Sequence, residues 1–156
     1  MDTVQTQTHY LYHSAIFVSR QPTLVTTILG SCVAVCIFDK RLEFGGINHY
    51  MLPLWNGTGL PSPKYGNVAI PKLIEKMVSL GSREEDLIAK VVGGGEVLVT
   101  NNDMFHIGDR NIQIAHEILS EKNIKIAGES VGGTRGRKIL YDTATGTIKQ
   151  IFITKH

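Results

Sequence analysis

The chain has two cysteines in 156 residues, Cys32 and Cys36, too few for the disulfide framework of a small secreted fold. Its longest apolar runs are about half a dozen residues, far short of the ~20 that cross a bilayer as a helix. The opening stretch MDTVQTQTHYLYHSAIFVS lacks the basic start and apolar core of a secretory signal. Sixteen basic residues face fourteen acidic ones, a formal net charge of +2, with no basic cluster and no charged tail. That balance argues against an electrostatic nucleic-acid footprint. Internal repeats and low-complexity segments are absent too. His9, His13, His106, His116 and His156 have no companion cysteine or carboxylate at a metal-ligand spacing, so neither a metal nor a cofactor is expected. What remains is a cytoplasmic protein with reduced thiols, no nucleic-acid partner and no membrane insertion.

A hydrophobic content of 42% with 19% charged residues suits one core, and a single domain over residues 1–156 is predicted. Short β-branched runs at 14–19, 23–28, 33–38 and 44–52, punctuated by Pro22, Gly30, Gly45 and Pro53, read as closely spaced, mostly antiparallel strands. Ile70, Leu73, Ile74, Met77 and Val78 follow the helical period up to Gly81, and Ile112, Ala115 and Leu119, with Ile118 beside them, mark a second helix over 110–123. Further strands are predicted at 87–95, 124–129, 137–142 and 147–154. The Gly- and Pro-rich stretch 54–66 is the one long loop, and nothing in residues 1–13 decides whether they are ordered. Strands outnumber helices, so the class is α+β with helices packed on a largely antiparallel sheet system.

The two cysteines lie in TTILGSCVAVCIF, residues 26–38. Along a strand, four residues separate their Cα atoms by about 13 Å, whereas a disulfide needs less than about 7 Å. Cys36, between Val35 and Ile37, reads as a buried small hydrophobe. Cys32 follows Gly30 and Ser31, which permit a sharp turn able to expose the thiol and line up backbone N–H groups beside it. Those features suit a nucleophile with an oxyanion site, although such turns also occur before ordinary buried strands. A nucleophilic thiol needs a base. His49, in GGINHYMLP, sits in the run after the short DKRLEF connection, where a cross-strand approach to Cys32 is reasonable, with a backbone-satisfied buried histidine as the competing reading.

Together, TTILGSCVAVCIFD and GGINHYMLP resemble the chemoreceptor glutamine deamidase family, CheD, and the similarity continues through KYGNVAIPKLIEKMVSLG, AKVVGGGEV, IGDRNIQIAHEILSEKNIKI and GGTRGRKILYDTATG. The resemblance implies an α/β sandwich with mostly antiparallel paired sheets and covering helices, a CheD-like cysteine hydrolase fold related to toxins that deamidate small GTPases. It implies hydrolysis of particular glutamine side chains on the cytoplasmic domains of methyl-accepting chemotaxis receptors, and action on methyl-glutamate esters. It implies Cys32 as nucleophile, His49 as base and Thr26, six residues before the cysteine, as the third member. Thr27 would point the opposite way on a strand. Binding of a CheC-like phosphatase is implied as well, and a non-catalytic binding module for that partner is the alternative function. The match departs at Glu96, where the family usually has a small residue after the glycines.

The expected chemistry runs through a thioester, with backbone N–H groups near Gly30, Ser31 and Cys32 holding the oxyanion and with His49 and these dipoles favouring the thiolate. Tyr65 and Asn67 are candidates for the substrate groove, packing of their own loop being the other reading. GGGE and GGTRGR lack the complete phosphate-loop patterns and read as turns. Arg135 and Arg137 read as solvated surface, or as contacts to an acidic partner.

Overall fold

Residues 33–38 are apolar without alternation because both faces of their strand are covered. The computed structural model describes residues 6–96 and 106–153. In chain order its first strands are β1 (Gln7–Tyr10), β2 (Ile16–Ser19), β3 (Thr23–Leu29), β4 (Val33–Asp39) and β5 (Phe44–Asn48). Helix α1 (Gly66–Ser79), a short 3-10 turn (Glu84–Asp86) and β6 (Leu87–Gly93) follow, then α2 (Ile107–Glu121), β7 (Lys125–Val131), β8 (Arg137–Asp142) and β9 (Ile148–Phe152). One sheet has the order β2-β5-β4-β6-β7 and the other β1-β3-β8-β9. Among the described strands, only β1 with β3 and β6 with β7 pair in parallel. The mostly antiparallel expectation is met.

Two cores share β4. On one face Val33, Val35 and Ile37 pack with Ile70, Leu73 and Met77 of α1 and Ala115 and Leu119 of α2. On the other, Ala34, Cys36, Ile47 and Val92 meet Val25 and Leu29 of β3 and Ile139 and Tyr141 of β8. Helices, five-stranded sheet and four-stranded sheet therefore form successive layers, the α/β sandwich that the resemblance implied. Each large apolar side chain so enclosed contributes about 1.5–3 kcal/mol.

Three local expectations change. Although β4 and β5 form the predicted hairpin, β3 and β4 lie in different sheets, because the turn at residues 30–32 carries the chain from one sheet to the other. The first strand, β1, has no apolar alternation to betray it. All four of its residues are exposed, and a parallel ladder to β3 holds it. Helix α1 begins at Gly66 rather than with the apolar period at Ile70, and Val78 turns outward. Thr154 and His156 lie outside the described residues. Among the described residues no helix is long and apolar enough to cross a membrane.

Candidate active site

Gly30, Ser31 and Cys32 make the crossing between sheets, and each of their carbonyl oxygens is anchored on the same side. The N–H of Gly95 donates to the Gly30 carbonyl at 3.0 Å and that of Gly94 to the Cys32 carbonyl at 2.8 Å. Between them, Nδ2 of Asn111 donates to the Ser31 carbonyl at 2.9 Å. The glycine run after β6 is thus a clamp on the turn. At Gly93, φ is +111°, and a Cβ there would stand 2.4 Å from the Cys32 carbonyl oxygen, so only glycine fits.

In a planar trans peptide the N–H points opposite to the carbonyl. The N–H groups of Ser31 and Cys32 therefore face away from the clamp, and neither donates to another residue among those described. The Cys32 thiol, half-buried, is raised above its ordinary pKa by burial, an effect its own backbone N–H partly offsets. Burial outweighs the dipoles. The thiol rests neutral.

His49 directly follows β5. Its N–H donates to Ala15 at 3.3 Å, and its carbonyl accepts from Ser14 at 2.7 Å. Its neighbour Tyr50 exchanges backbone hydrogen bonds with Val33, in the register already set by Cys36 opposite Ile47. Cys32 and His49 consequently lie on one face as diagonal neighbours, with Cα atoms about 7–8 Å apart, and that face looks into the space between the sheets. The imidazole is 5% exposed. Its pKa is lowered to about 4, first by burial and then by His13, whose ring centroid is 6.4 Å away. It rests as neutral imidazole.

The hydroxyl that meets this ring belongs to Thr27. Its Oγ1 is 2.7 Å from Nδ1 of His49 and donates to the Leu11 carbonyl at 2.8 Å. With its single hydrogen so engaged, Oγ1 can only accept from His49, which places the ring proton on Nδ1 and leaves the Nε2 lone pair free. Thr26, the expected residue, does not meet the ring. In β3 the buried side chains are Thr23, Val25, Thr27 and Leu29, so Thr26 faces outward, beside His9, Tyr10 and Lys138 on the far side of the four-stranded sheet. Alternation separates the two hydroxyls, as expected, and it is the Thr27 side of the strand that faces His49.

The other candidates have structural roles. Asn67 accepts from the Trp55 backbone N–H at 2.8 Å, and Tyr65 is the residue before the first turn of α1 and bridges to Leu52; both serve their loop. Cys36 is 2% exposed and free, with a thiol pushed far above its usual range by burial. Arg137, expected at the surface, is 1% exposed and donates to Ser130 at 2.7 Å and to the Gly132 carbonyl. Glu96 accepts from the Asp109 N–H at 3.2 Å in the first turn of α2. Glu96, His106 and Asp109 bring three potential metal-ligand atoms within 4.8 Å of one another, a grouping that no sequence spacing reveals. Asn111 and Leu11 also escaped the sequence reading. Asn111 does leave a signal, a polar residue on the apolar face formed by Gly108, Ala115 and Leu119.

A thiol, a neutral imidazole with a fixed tautomer, and two outward backbone N–H groups are the parts of a nucleophilic acyl-transfer site. The family model described as CheD chemotactic sensory transduction matches residues 51–150. A protein of Sulfurimonas denitrificans called probable chemoreceptor glutamine deamidase CheD is 49% identical over 148 residues, 94% of each chain. Proteins of the same description from Trichlorobacter lovleyi and Methanococcus maripaludis are 46% and 36% identical, over 90% and 85% of this chain and 87% of each relative. On this similarity, which runs through both sheets and both helices, the chain belongs to the CheD family.

Proposed function

We propose that this protein hydrolyses the side-chain amide of glutamines on chemotaxis receptors, acting from the cytoplasm, with Cys32 as nucleophile, His49 as base and Thr27 as the residue that orients the ring. The observation that carries this reading is the Leu11, Thr27, His49 hydrogen-bond chain, which leaves Nε2 as the basic nitrogen. Because thiol and imidazole both rest neutral, the proton passes from Sγ to Nε2 as the sulfur attacks the amide carbon. The carbonyl oxygen becomes an oxyanion against the N–H groups of Ser31 and Cys32. Protonated His49 returns its proton to the leaving nitrogen, ammonia departs, and the acyl group remains on sulfur as a thioester. Water, deprotonated by the same imidazole, then releases glutamate and restores the thiol.

A groove between α2 and the segment just after His49, walled by Leu52, Pro53, Leu54 and Ile114 with Arg110 and Glu117 at its edge, supports docking of a receptor helix. The same groove is the proposed seat for a CheC-like phosphatase. The deciding experiment incubates the protein with receptor cytoplasmic fragments and reads amide-to-acid conversion by mass spectrometry. Conversion that disappears in Cys32→Ala is expected. Equal conversion by that variant, or none by the wild type, removes the enzymatic reading and leaves the binding module.

A further inference from the structure

Asn111 is fully buried, and its side-chain nitrogen donates twice: to the carbonyl of Ser31 at 2.9 Å and to that of Met51 at 3.0 Å. The first acceptor directly precedes the nucleophile. The second lies two residues beyond the base. Of the three carbonyls that fix the turn, those of Gly30 and Cys32 are held by backbone N–H groups, which any residue supplies; that of Ser31 is held by a side chain. The helix is itself located for this purpose. Gly108 passes so close to the clamp that a Cβ would stand 2.3 Å from the Gly94 carbonyl oxygen, and the Tyr50 hydroxyl donates to the Asn111 backbone carbonyl at 2.5 Å.

We infer that Asn111 is a positioning residue for the oxyanion site: by holding the Ser31 carbonyl it sets the Ser31 to Cys32 peptide plane, and so aims the Cys32 N–H at the oxygen of the attacked carbonyl. Its hold on Met51 keeps the turn and the segment bearing His49 in register. A donor of this kind acts only when negative charge develops on oxygen. It contributes nothing when the same thiol displaces a halide from carbon.

This inference rests on the acyl-transfer reading above, and two small probes test it without any receptor. With p-nitrophenyl acetate, the Cys32 sulfur bonds to the acetyl carbon, the carbon to p-nitrophenolate bond breaks, the thiol proton leaves through His49 to solvent, and an oxyanion forms on the way. With iodoacetamide, sulfur displaces iodide and no oxyanion forms. Rates of both are measured for wild type, Asn111→Ala and Asn111→Ser, with Cys32→Ala as background and each variant required to melt cooperatively above the assay temperature. The Ser variant, whose hydroxyl is too short to bridge both carbonyls, serves if the Ala variant does not fold. Acylation is expected to fall roughly 10- to 100-fold while alkylation stays within about threefold, since a misaimed oxyanion donor costs at most the loss of one. Equal losses in both reactions, no loss in either, or melting of both variants below the assay temperature would overturn the inference by making Asn111 a purely structural residue or an idle one. Failure of the deamidase reading is separate: it shows as absent amide conversion in wild type, whatever the ratio of the two probe rates.

Discussion

Thr27 accepts a hydrogen bond from Nδ1 of His49 at 2.7 Å while giving its own hydrogen to the Leu11 carbonyl, so a threonine in one sheet fixes the tautomer of a histidine in the other. Thr27→Val removes that acceptor at nearly constant shape and is expected to lower kcat roughly 10- to 100-fold, the usual cost of losing a residue that orients a functional histidine. Thr26→Val, on the outer face, should leave kcat within about twofold by the same reasoning. Steady-state assays of the two variants check the assignment, and the reverse ranking would restore Thr26.

The pH dependence follows from the buried imidazole. His49 must be neutral to act as a base, and with a pKa lowered to about 4 the acid limb of kcat/KM is expected near that pH rather than near the ordinary histidine value. Because His13 contributes to the lowering, His13→Ala should move the limb upward. Stability has a matching window. The unfolded chain binds a proton on this histidine below about 6.5 and the folded chain resists it, so stability is full above that pH and is lost as pH falls through about 4. The loss is on the order of 3 kcal/mol at most. Urea denaturation at neutral and acidic pH should show a smaller difference in His49→Gln than in wild type.

The two cysteines separate chemistry from packing. Cys32→Ala should abolish turnover with little change in melting temperature, since the thiol is only half-buried. Cys36→Ser places a hydroxyl in the core between the sheets and is expected to cost about 1–3 kcal/mol, with activity retained in the folded fraction. Iodoacetamide on the native protein should mark Cys32 alone, read by peptide mapping.

Glycine substitutions distinguish the clamp from the loops. Gly93→Ala drives a methyl group into the Cys32 carbonyl from a left-handed backbone, and should lower both kcat and the melting temperature. Gly132→Ala shares a positive φ but meets nothing within 4 Å, so its cost is backbone strain of about 1 kcal/mol with kcat unchanged. Parallel melting and activity measurements compare them.

A phosphatase seated in the groove beside residues 52–54 would exclude a receptor helix. A CheC-like phosphatase added in increasing amounts is expected to lower deamidation of receptor fragments and to slow alkylation of Cys32, while Cys32→Ala still binds it. Unchanged rates at saturation would move the phosphatase to a separate surface.

The sequence by itself determined the strands with strong β-branched runs, the second helix, the antiparallel hairpin of β4 and β5, and the candidates for nucleophile and base, because periodicity, turn residues and a motif of contiguous residues are local properties. Only the tertiary structure decided which threonine serves His49. That choice depends on which face of β3 looks across to the other sheet, and the crossing at residues 30–32 sends adjacent strands into different layers. Of the parts brought from afar, Leu11 from before β2 and the glycine clamp after β6 are invisible to local pattern, since they work through a backbone carbonyl and backbone N–H groups, while Asn111 of α2 shows only as a polar residue on an apolar face, with nothing local to name the carbonyls its side chain holds. The resting protonation of the site was decided at the same level. Burial between two sheets, which no spacing along the chain encodes, raises the thiol and lowers the imidazole until both are neutral.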